Sequence, residues 1–535
     1  MMQGEGLESS MTRRDLLRMI GLSAGGAAMY QAMSSLGFAA ESPYKGTPKL
    51  QGAPRGTSVV ILGAGLAGMV AAYELRQAGY KVQLLEYNGR PGGRNWTLRG
   101  GDSYTEMGGA TQHCQFDREL YINPGPWRIP YHHRGLLDYC KKLNVPLEPF
   151  VQVNYNAYLH SANAFGGKPQ RYRSINADYR GHVSELLAKV AQQGKLDAQI
   201  SKDDQALLLE SLRDWGALDK NYAYAAGGSA SNRRGYDKLP GGGLSARPID
   251  SQPLLLHDVL DSKLWRNLTQ GEIFEFQTTL FQPVGGMGRI GEAFGRELRG
   301  LIRYNRKVTG IQQDEHGVTV SHVDAQHPGT TQTTHADWCI CTIPLSILSQ
   351  IPMNVSAPMA DAIGAVPYAA TVKVGLQFKR RFWEEDDDIY GGLTATDLPI
   401  NTISYPSNDF NSRKGVLLGG YIWGLNAYEF TAMTPEERIR KTVEYGSQIH
   451  PQYKTEFENG IAVAWHRAPF TMGCFASWSE ELRAKHYDNL CQIDGRIALA
   501  GEHASYLPAW QEGAVTSALD LVTRLHQRIL AGGAA

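Results

Sequence analysis

Hydrophobic residues along the chain fall into short unbroken runs and into runs with helical spacing. Residues 57–62 read TSVVIL, an apolar run that is typical of a strand buried on both faces. The stretch MVAAYELRQAG over residues 69–79 has a helical pattern and ends at Gly79, a residue type favoured at helix C-termini. A further apolar run over residues 81–86, KVQLLE, ends at the acidic residue Glu86. The pattern predicts a strand, a helix and a second strand in close succession.

Three glycines lie at the predicted turn between the first strand and the helix. Gly63, Gly65 and Gly68 have the G-x-G-x-x-G spacing of a dinucleotide-binding turn. In such a turn the first glycine permits a tight bend, the second lets a pyrophosphate approach the backbone, and the third lets helix and strand pack closely. Glu86 follows about 20 residues later, where an acidic residue binds ribose hydroxyls. The unit predicts a dinucleotide site without choosing between NAD and FAD.

Two other parts of the chain carry patterns that predict structure. Residues 497–502, IALAGE, predict a third strand that ends at Gly501 and Glu502. The stretch that follows has apolar residues at helical spacing, namely Val515, Leu519, Val522 and Leu525. Between residues 166 and 279, HVSELLAKVAQQG and DDQALLLESLRDWG predict helices, and a Gly- and Asn-rich loop comes after them.

Length and composition set broad limits. The chain has 535 residues, more than one hydrophobic core usually supports, so two or three domains are expected. Basic and acidic residues number 53 each, and no basic stripe is present, which argues against a nucleic-acid partner. Six scattered cysteines are too few for a disulfide framework and have no further ligands at metal-site spacing. We therefore expect no metal and interpret the cysteines as small core residues.

The first 40 residues predict an export signal. TRRDLLR precedes a mildly apolar stretch that ends in small residues at Ala39 and Ala40. The adjacent Arg13 and Arg14 are typical of the twin-arginine route, so we expect cleavage near Ala40 and a periplasmic or secreted protein. The alternative is a basic helix that arose by chance at this terminus. The apolar stretch is too rich in Gly, Ser and Gln for a stable membrane span, and none is expected elsewhere.

The residues after Glu86 resemble those of the flavin amine oxidases. YNGRPGGR matches the R-x-G-G-R run of that family, in which glycines allow close backbone approach and arginines bind phosphate oxygens. The resemblance continues through a Gly-Gly turn, a middle segment and a C-terminal Gly-Glu pair in the family's order, which implies FAD as the cofactor. Besides the four residues of the first unit, it implies flavin contacts from Arg90, Gly93, Arg94, Gly108, Gly109, Val308, Gly501 and Glu502.

Within this family, the stretch GPWRIP resembles an element of the L-amino-acid oxidases that oxidases of plain amines lack. The resemblance implies that Arg128 binds the substrate carboxylate, to which a guanidinium can donate two parallel hydrogen bonds. It implies that Tyr421 in GVLLGGYIWG also contacts this carboxylate, although a neighbouring position stays open, and that Lys373 in TVKVGLQFKRRFW acts near flavin N5. Phe475 and Trp510 are expected to flank the substrate.

Cys474 precedes Phe475, where monoamine oxidases with covalent flavin carry the attaching cysteine. Because Arg128 places the chain with the L-amino-acid oxidases, we expect non-covalent FAD, with a link at Cys474 as the alternative.

The resemblance also implies a fold of the α/β type with an added helical part. A discontinuous, Rossmann-like FAD domain is expected over residues 57–110, 280–360 and 485–530. A mixed-sheet substrate domain is expected over residues 111–165 and 365–484, and a helical domain over residues 166–279.

The implied reaction is oxidative deamination of an L-amino acid by dioxygen, with a 2-oxo acid, ammonia and hydrogen peroxide as products. Three alternatives stay open: a monooxygenase or dehydrogenase of amino acids, an oxidase of amines or polyamines, and a flavin-binding protein without activity. The sequence leaves open the preferred side chain and the oligomeric state, for which a homodimer is one option.

Overall fold

The structure is a computed structural model that describes residues 42–196 and 198–532. The export signal predicted for residues 1–40 lies outside the described residues. The described chain has the mixed α/β fold that the sequence predicts, with two large sheets, four small sheets and flanking helices. None of its described helices combines the length and the apolar character needed to cross a membrane.

The first large sheet is assembled from distant parts of the chain. Its six strands are, in spatial order, Ile302–Arg303, Lys81–Leu85, Ser58–Leu62, Trp338–Cys341, Ile497–Leu499 and Ile493–Asp494. All neighbours are parallel except the last two, which are antiparallel. The carboxyl ends of parallel strands lie at the same edge of a sheet. This edge therefore brings together Gly63, Glu86 and Gly501, each of which closely follows one of these strands in the sequence.

Alternate residues of the central strand face two different cores. Val59 and Ile61 point to a core that is shared with the helices Leu66–Ala78 and Gln511–Gly532. Val60 and Leu62 point to the opposite core. This second core is shared with the antiparallel strands Arg306–Gln313, Val318–Asp324 and Gln332–Ala336. The unbroken apolar run in the sequence is therefore explained by burial on both faces.

The predicted stop of the first helix is confirmed. Leu66–Ala78 ends at Gly79, which has a φ of 97° and whose backbone N–H caps the last turn. The remaining helices that accompany the first sheet are Gly288–Glu297, Leu345–Leu348, Ala357–Ala365 and Glu480–Cys491.

The second large sheet has seven strands. In spatial order they are Gln170–Arg171, Tyr158–His160, Gly392–Thr396, Thr402–Tyr405, Gly415–Trp423, Thr371–Phe378 and Phe457–Ala464. Its helices are Phe382–Glu385, Leu425–Ala432, Pro435–Gly446 and Tyr453–Glu456. Every residue of Thr371–Phe378 is buried, and its antiparallel register places Lys373 opposite Tyr421.

Further short strands form three small antiparallel sheets. Ile129–Pro130, Leu280–Pro283 and Leu147–Phe150 form a three-stranded antiparallel sheet, and the helix Arg134–Lys142 lies between two of them in sequence. Two small antiparallel pairs join Leu98–Arg99 to Tyr121–Ile122 and Ser103–Thr105 to Thr111–His113.

The predicted helices of the middle segment are present. The two predicted stretches lie in Tyr172–Gln192 and Lys202–Gly216. Two further helices were not predicted: Gly228–Arg234, which lies within the predicted Gly- and Asn-rich loop, and Leu256–Asp261, which is followed by the 3-10 turns Leu264–Glu272 and Phe274–Phe276. A buried ion pair between Asp178 and Arg234 joins two of these helices, and the hydroxyl of Tyr224 donates to Asp178 at 2.7 Å. The boundaries of the three domains stay a prediction.

Candidate active site

A cavity of about 970 Å³ lies between the edge of the first sheet and the second sheet. This volume is at the upper end of the range for small-molecule and cofactor sites, roughly 300–1,000 Å³. The wall contains most of the site residues that the sequence predicts. Those from the cofactor set are Gly63, Gly65, Glu86, Gly93, Arg94, Val308, Gly501 and Glu502, and those from the substrate set are Arg128, Lys373, Tyr421, Phe475 and Trp510.

Two predicted cofactor residues lie behind the wall and support it. A Cβ atom at Gly68 would lie 2.0 Å from the carbonyl oxygen of Gly63, so only glycine lets the helix approach this turn. The guanidinium of Arg90 lies 4.4 Å from the ring centroid of Trp96 and donates to the carbonyl oxygen of Gly93 at 2.9 Å. Both residues shape the turns that line the cavity, and their direct contact with a cofactor stays a prediction.

Gly108 and Gly109 also lie outside the wall. They belong to the turn between the paired strands Ser103–Thr105 and Thr111–His113, and their φ angles of 99° and 90° are those that a tight turn needs. The wall instead contains residues 125–128 of the GPWRIP stretch. The position of GPWRIP agrees with its predicted substrate role, whereas the predicted flavin contact of Gly108 and Gly109 stays a prediction.

The turn after the first strand has room for a ligand directly against its backbone. A Cβ atom built on Gly65 would meet no protein atom within 4 Å, so a side chain there would enter the cavity. Glu86 is held in place because its carboxylate accepts from the backbone N–H of Ala64 at 2.6 Å and from the backbone N–H of Asn88 at 2.8 Å. Free backbone N–H groups at a helix N-terminus can bind a pyrophosphate, and a fixed carboxylate beside them can bind the attached ribose.

An ion pair joins three separate segments at the wall. Arg94 donates to the carboxylate of Glu502 and to the carbonyl oxygen of Cys474, both at 2.8 Å. Burial raises the pKa of Glu502, but the charge of Arg94 and the proximity of His503 outweigh it, and the pKa lies below its usual value. The backbone N–H of Ala476 donates to the same carboxylate at 3.2 Å. The pair therefore fixes the loop that carries Cys474.

Arg128 is held between aromatic rings. Arg128 is only 6% exposed, and its guanidinium carbon lies 4.3 Å from the ring centroid of Phe276. The rings of Trp127 and Trp510 lie at 5.0 and 5.8 Å. Arg128 directly precedes the strand Ile129–Pro130, whose pairing with Leu280–Pro283 fixes the backbone. A rigid guanidinium in the wall of an aromatic cavity is suited to bind a planar anion such as a carboxylate.

Lys373 is buried in the strand Thr371–Phe378, and its ammonium group faces the same cavity. Its Nζ donates to the carbonyl oxygen of Gly125 and lies 3.9 Å from the ring centroid of Trp127 and 4.7 Å from that of Tyr421. Burial lowers the pKa of Lys373 well below its ordinary value, and the positive charge of Arg128 lowers it further. Both effects shift the ionisation equilibrium of Lys373 toward the neutral amine.

Aromatic residues form most of the remaining wall around Arg128. Phe475 and Trp510, which the sequence predicts, are both present, and Trp510 packs edge-on against His133 with ring centroids 5.0 Å apart. Sequence reasoning missed other aromatic residues of the wall, among them Phe276 and Trp465. Phe276 comes from a 3-10 turn at the end of the helical segment and carries no motif. Only its contact with Arg128 identifies it.

Cys474 also lies in the wall, a position that the alternative of a covalent flavin link requires. Burial raises the pKa of its thiol, and the charge of Arg94 acts in the opposite direction by less. The neutral thiol is therefore favoured over the thiolate, which is the nucleophilic form.

The chain is similar to known proteins of one family. The model of the flavin-containing amine oxidoreductases matches residues 66–526. The chain is 28% identical over 487 residues to an L-amino-acid oxidase of Siganus canaliculatus, an alignment that covers 88% of this chain and 86% of that one. It is 29% identical over 482 residues to an L-amino acid oxidase of Bothrops pictus, with 88% and 90% of the two chains covered.

Solved structures share the fold. Cyclohexylamine oxidase from Brevibacterium oxydans IH-35A superposes with a TM-score of 0.58 at 17% identity, over 88% of this chain and 99% of that one. The match to the family model includes every strand of the two large sheets except Ser58–Leu62, and every residue in the cavity wall except Gly63 and Gly65. The chain therefore belongs to the flavin-containing amine oxidoreductase family.

Proposed function

We propose that this protein is an FAD-dependent L-amino-acid oxidase. It would convert an L-amino acid, water and dioxygen to a 2-oxo acid, ammonia and hydrogen peroxide. The observation that carries the proposal is the position of Arg128, a buried guanidinium in the wall of the same cavity as the dinucleotide-binding turn. The relatives named as L-amino-acid oxidases support the same substrate class.

The residues present fit FAD. The backbone at Gly63 and Gly65 would hold the pyrophosphate, Glu86 would bind the ribose of the nucleotide, and Val308 would contact the adenine. When bound, the flavin supplies the hydride acceptor and then passes the electrons to dioxygen. We propose non-covalent binding because the raised pKa of Cys474 disfavours its thiolate. Acid precipitation tests this: yellow colour should stay in the supernatant, whereas a yellow pellet would indicate a covalent link.

The protein side of the reaction is orientation and exclusion of water. In this proposal the guanidinium of Arg128 binds the substrate carboxylate, and Tyr421 makes a second contact with it, which its presence in the same wall supports. Two fixed contacts at one end of a small molecule restrict its rotation, which orients the α-carbon. The rings of Phe475 and Trp510 exclude water and offer apolar surfaces to that carbon.

Lys373 has a different role in this scheme. Because burial lowers its pKa, its Nζ favours the neutral form, which retains a lone pair. We propose that this atom orients a water molecule in the cavity while it donates to the carbonyl oxygen of Gly125. A neutral amine at this place also avoids a second positive charge next to Arg128.

The test of the function uses the purified yellow holoprotein. Each of the twenty L-amino acids is mixed with it in the absence of oxygen, and the loss of the flavin absorbance is recorded, with D-enantiomers as the matched control. At least one L-amino acid should bleach the flavin, and in air it should give equimolar 2-oxo acid and hydrogen peroxide.

Other results would assign the protein to one of the alternatives. Bleaching by amines alone would indicate an amine or polyamine oxidase. An amide product without peroxide would indicate a monooxygenase, and bleaching without reaction in air a dehydrogenase. A flavin that no compound bleaches would indicate a binding protein without activity.

We also propose export by the twin-arginine route, supported by Arg13 and Arg14 together with the small residues at Ala39 and Ala40. N-terminal sequencing of the protein outside the cytoplasm should start near Glu41, and an intact Met1 there would contradict the proposal. A homodimer stays one option for the assembly, and light scattering on the holoprotein would give its mass.

A further inference from the structure

A second cavity of about 360 Å³ lies in the helical segment. It is bordered by the first turns of the helix Tyr172–Gln192 and by the helix Gly228–Arg234. None of its lining residues belongs to the wall of the large cavity. They are Tyr155, Arg173, Asn176, Ala177, Arg180, Asn232 and Arg233, a set with three guanidinium groups and no carboxylate.

The first guanidinium belongs to Arg173. It donates from Nε to the carbonyl oxygen of Arg234 at 2.8 Å and from Nη1 to the side-chain oxygen of Asn156, and both acceptors are uncharged. Burial lowers the pKa of Arg173, and the nearby charge of Arg171 lowers it further, while Asp388 raises it by less. Its positive charge is therefore only partly compensated by the protein.

The guanidinium groups of Arg233 and Arg180 also contact uncharged groups. Arg233 donates to the backbone carbonyl oxygens of Trp215, at 2.5 Å, and of Asp214. The guanidinium carbon of Arg180 lies 5.4 Å from the ring centroid of Trp215. Among the described residues, no carboxylate forms an ion pair with Arg173, Arg180 or Arg233. Three like charges around one cavity repel one another unless an anion lies between them.

An amide in the cavity wall adds a hydrogen-bond donor for a ligand. Asn176 is 7% exposed and lines the cavity, yet its side chain makes no hydrogen bond to any described residue. The NH₂ group of this amide is therefore available to donate to an anion in the cavity. Asn176 and Arg173 also lie in the first two turns of a 21-residue helix, where the helix dipole favours negative charge.

We propose that this second cavity binds a compact dianion, either phosphate or a small dicarboxylate. The positive charges of Arg173, Arg180 and Arg233, the amide of Asn176 and the positive end of the helix would all act on the same ligand. A dianion compensates more of this charge than a monoanion does. The cavity is larger than a bare ion, so there is room for an organic group attached to the charged one.

The test is isothermal titration calorimetry on the holoprotein at pH 8, in chloride buffer of constant ionic strength. Inorganic phosphate and malonate are titrated separately, which distinguishes the two ligand types. At least one should bind saturably with one site per chain. Arg180→Gln should weaken binding roughly tenfold or more, because a hydrogen bond between charged groups is lost. Asn176→Ala should also weaken it, and flavin content reports whether each variant folds.

Arg247→Gln is the matched control, since Arg247 is exposed in the same segment and does not line the cavity. Its affinity for the probes should equal that of the unchanged protein. Absence of saturable binding of both probes would overturn the proposal. So would equal affinities in Arg180→Gln, Asn176→Ala and Arg247→Gln. The oxidase activity does not enter this test, so its result is independent of the proposed function.

Discussion

Replacement of Arg128 by methionine tests the choice of substrate class most directly. Arg128 is the cation that the proposed function assigns to the substrate carboxylate, and it lies between the rings of Phe276, Trp127 and Trp510. Methionine is apolar and flexible, so it can keep much of the contact with these rings while it removes the guanidinium. The loss of activity then reports the charged hydrogen bonds rather than a collapsed cavity.

The expected magnitude follows from the hydrogen bonds of the guanidinium. A hydrogen bond to a charged group contributes about 1.5–3 kcal/mol, so a bidentate pair contributes roughly 3–6 kcal/mol. A tenfold change in rate corresponds to about 1.36 kcal/mol. Arg128→Met should therefore lower kcat/KM for an L-amino acid by roughly 10²- to 10⁴-fold. Arg128→Lys should give a smaller loss, because it keeps the charge but not the planar pair of donors.

The assay compares two substrates in each protein. One is the best L-amino acid found for the unchanged enzyme, and the other is the amine that lacks only its carboxylate. In Arg128→Met the amino acid should lose most of its kcat/KM, while the amine should lose none, since its ammonium group is no longer repelled by the guanidinium. A similar loss for both substrates, or a loss below tenfold for the amino acid, would refute the assignment of Arg128.

Three further predictions concern stability and cofactor retention. Lys373→Met should raise the melting temperature at pH 7 and raise it less as the pH approaches 10. Burial lowers the pKa of Lys373 in the folded protein below its value in the unfolded chain. Between these two pKa values the unfolded chain binds more protons than the folded protein, so the stability of the unchanged protein rises with pH. A difference in melting temperature that does not depend on pH would contradict this. Glu106→Gln should cost about 3–5 kcal/mol of stability in thermal unfolding, because it leaves the buried charge of Arg438 without its carboxylate 2.7 Å away. The double replacement Glu106→Leu with Arg438→Met should cost less, and equal costs would show that the charges do not matter. Gly65→Ala should fold but release FAD at least tenfold more readily in fluorescence titrations, whereas Gly68→Ala should reduce the yield of folded protein; unchanged FAD affinity in Gly65→Ala would place the pyrophosphate elsewhere.

Features that depend on neighbouring residues could be read from the sequence. The strand, turn, helix and second strand of residues 58–85 form as predicted, and Gly79 ends the helix. The apolar run, the glycine spacing and the helical pattern all act within one or two turns of the chain, so the local sequence is sufficient. The residue types of the site were also accessible, because a motif carries its own glycines, arginine or lysine.

Features that depend on distant residues could not be read in this way. Gly108 and Gly109 match a motif but lie in a hairpin turn away from the cavity, while residues 125–128 line it. Phe276 has no motif and became recognisable only through its contact with Arg128. Both outcomes depend on how separate segments pack, which a local pattern does not contain.

The sequence by itself determined the dinucleotide-binding unit, two helices of the middle segment and the set of residue types available for chemistry. The tertiary structure decided which of them meet. Lys373 lies opposite Tyr421 because two antiparallel strands pair in one register, and its Nζ reaches the carbonyl oxygen of Gly125, which is 248 residues away along the chain. The same burial that allows these contacts removes water from Lys373 and lowers its pKa. Such properties belong to the packed environment of a side chain, so they arise only when the whole chain has folded.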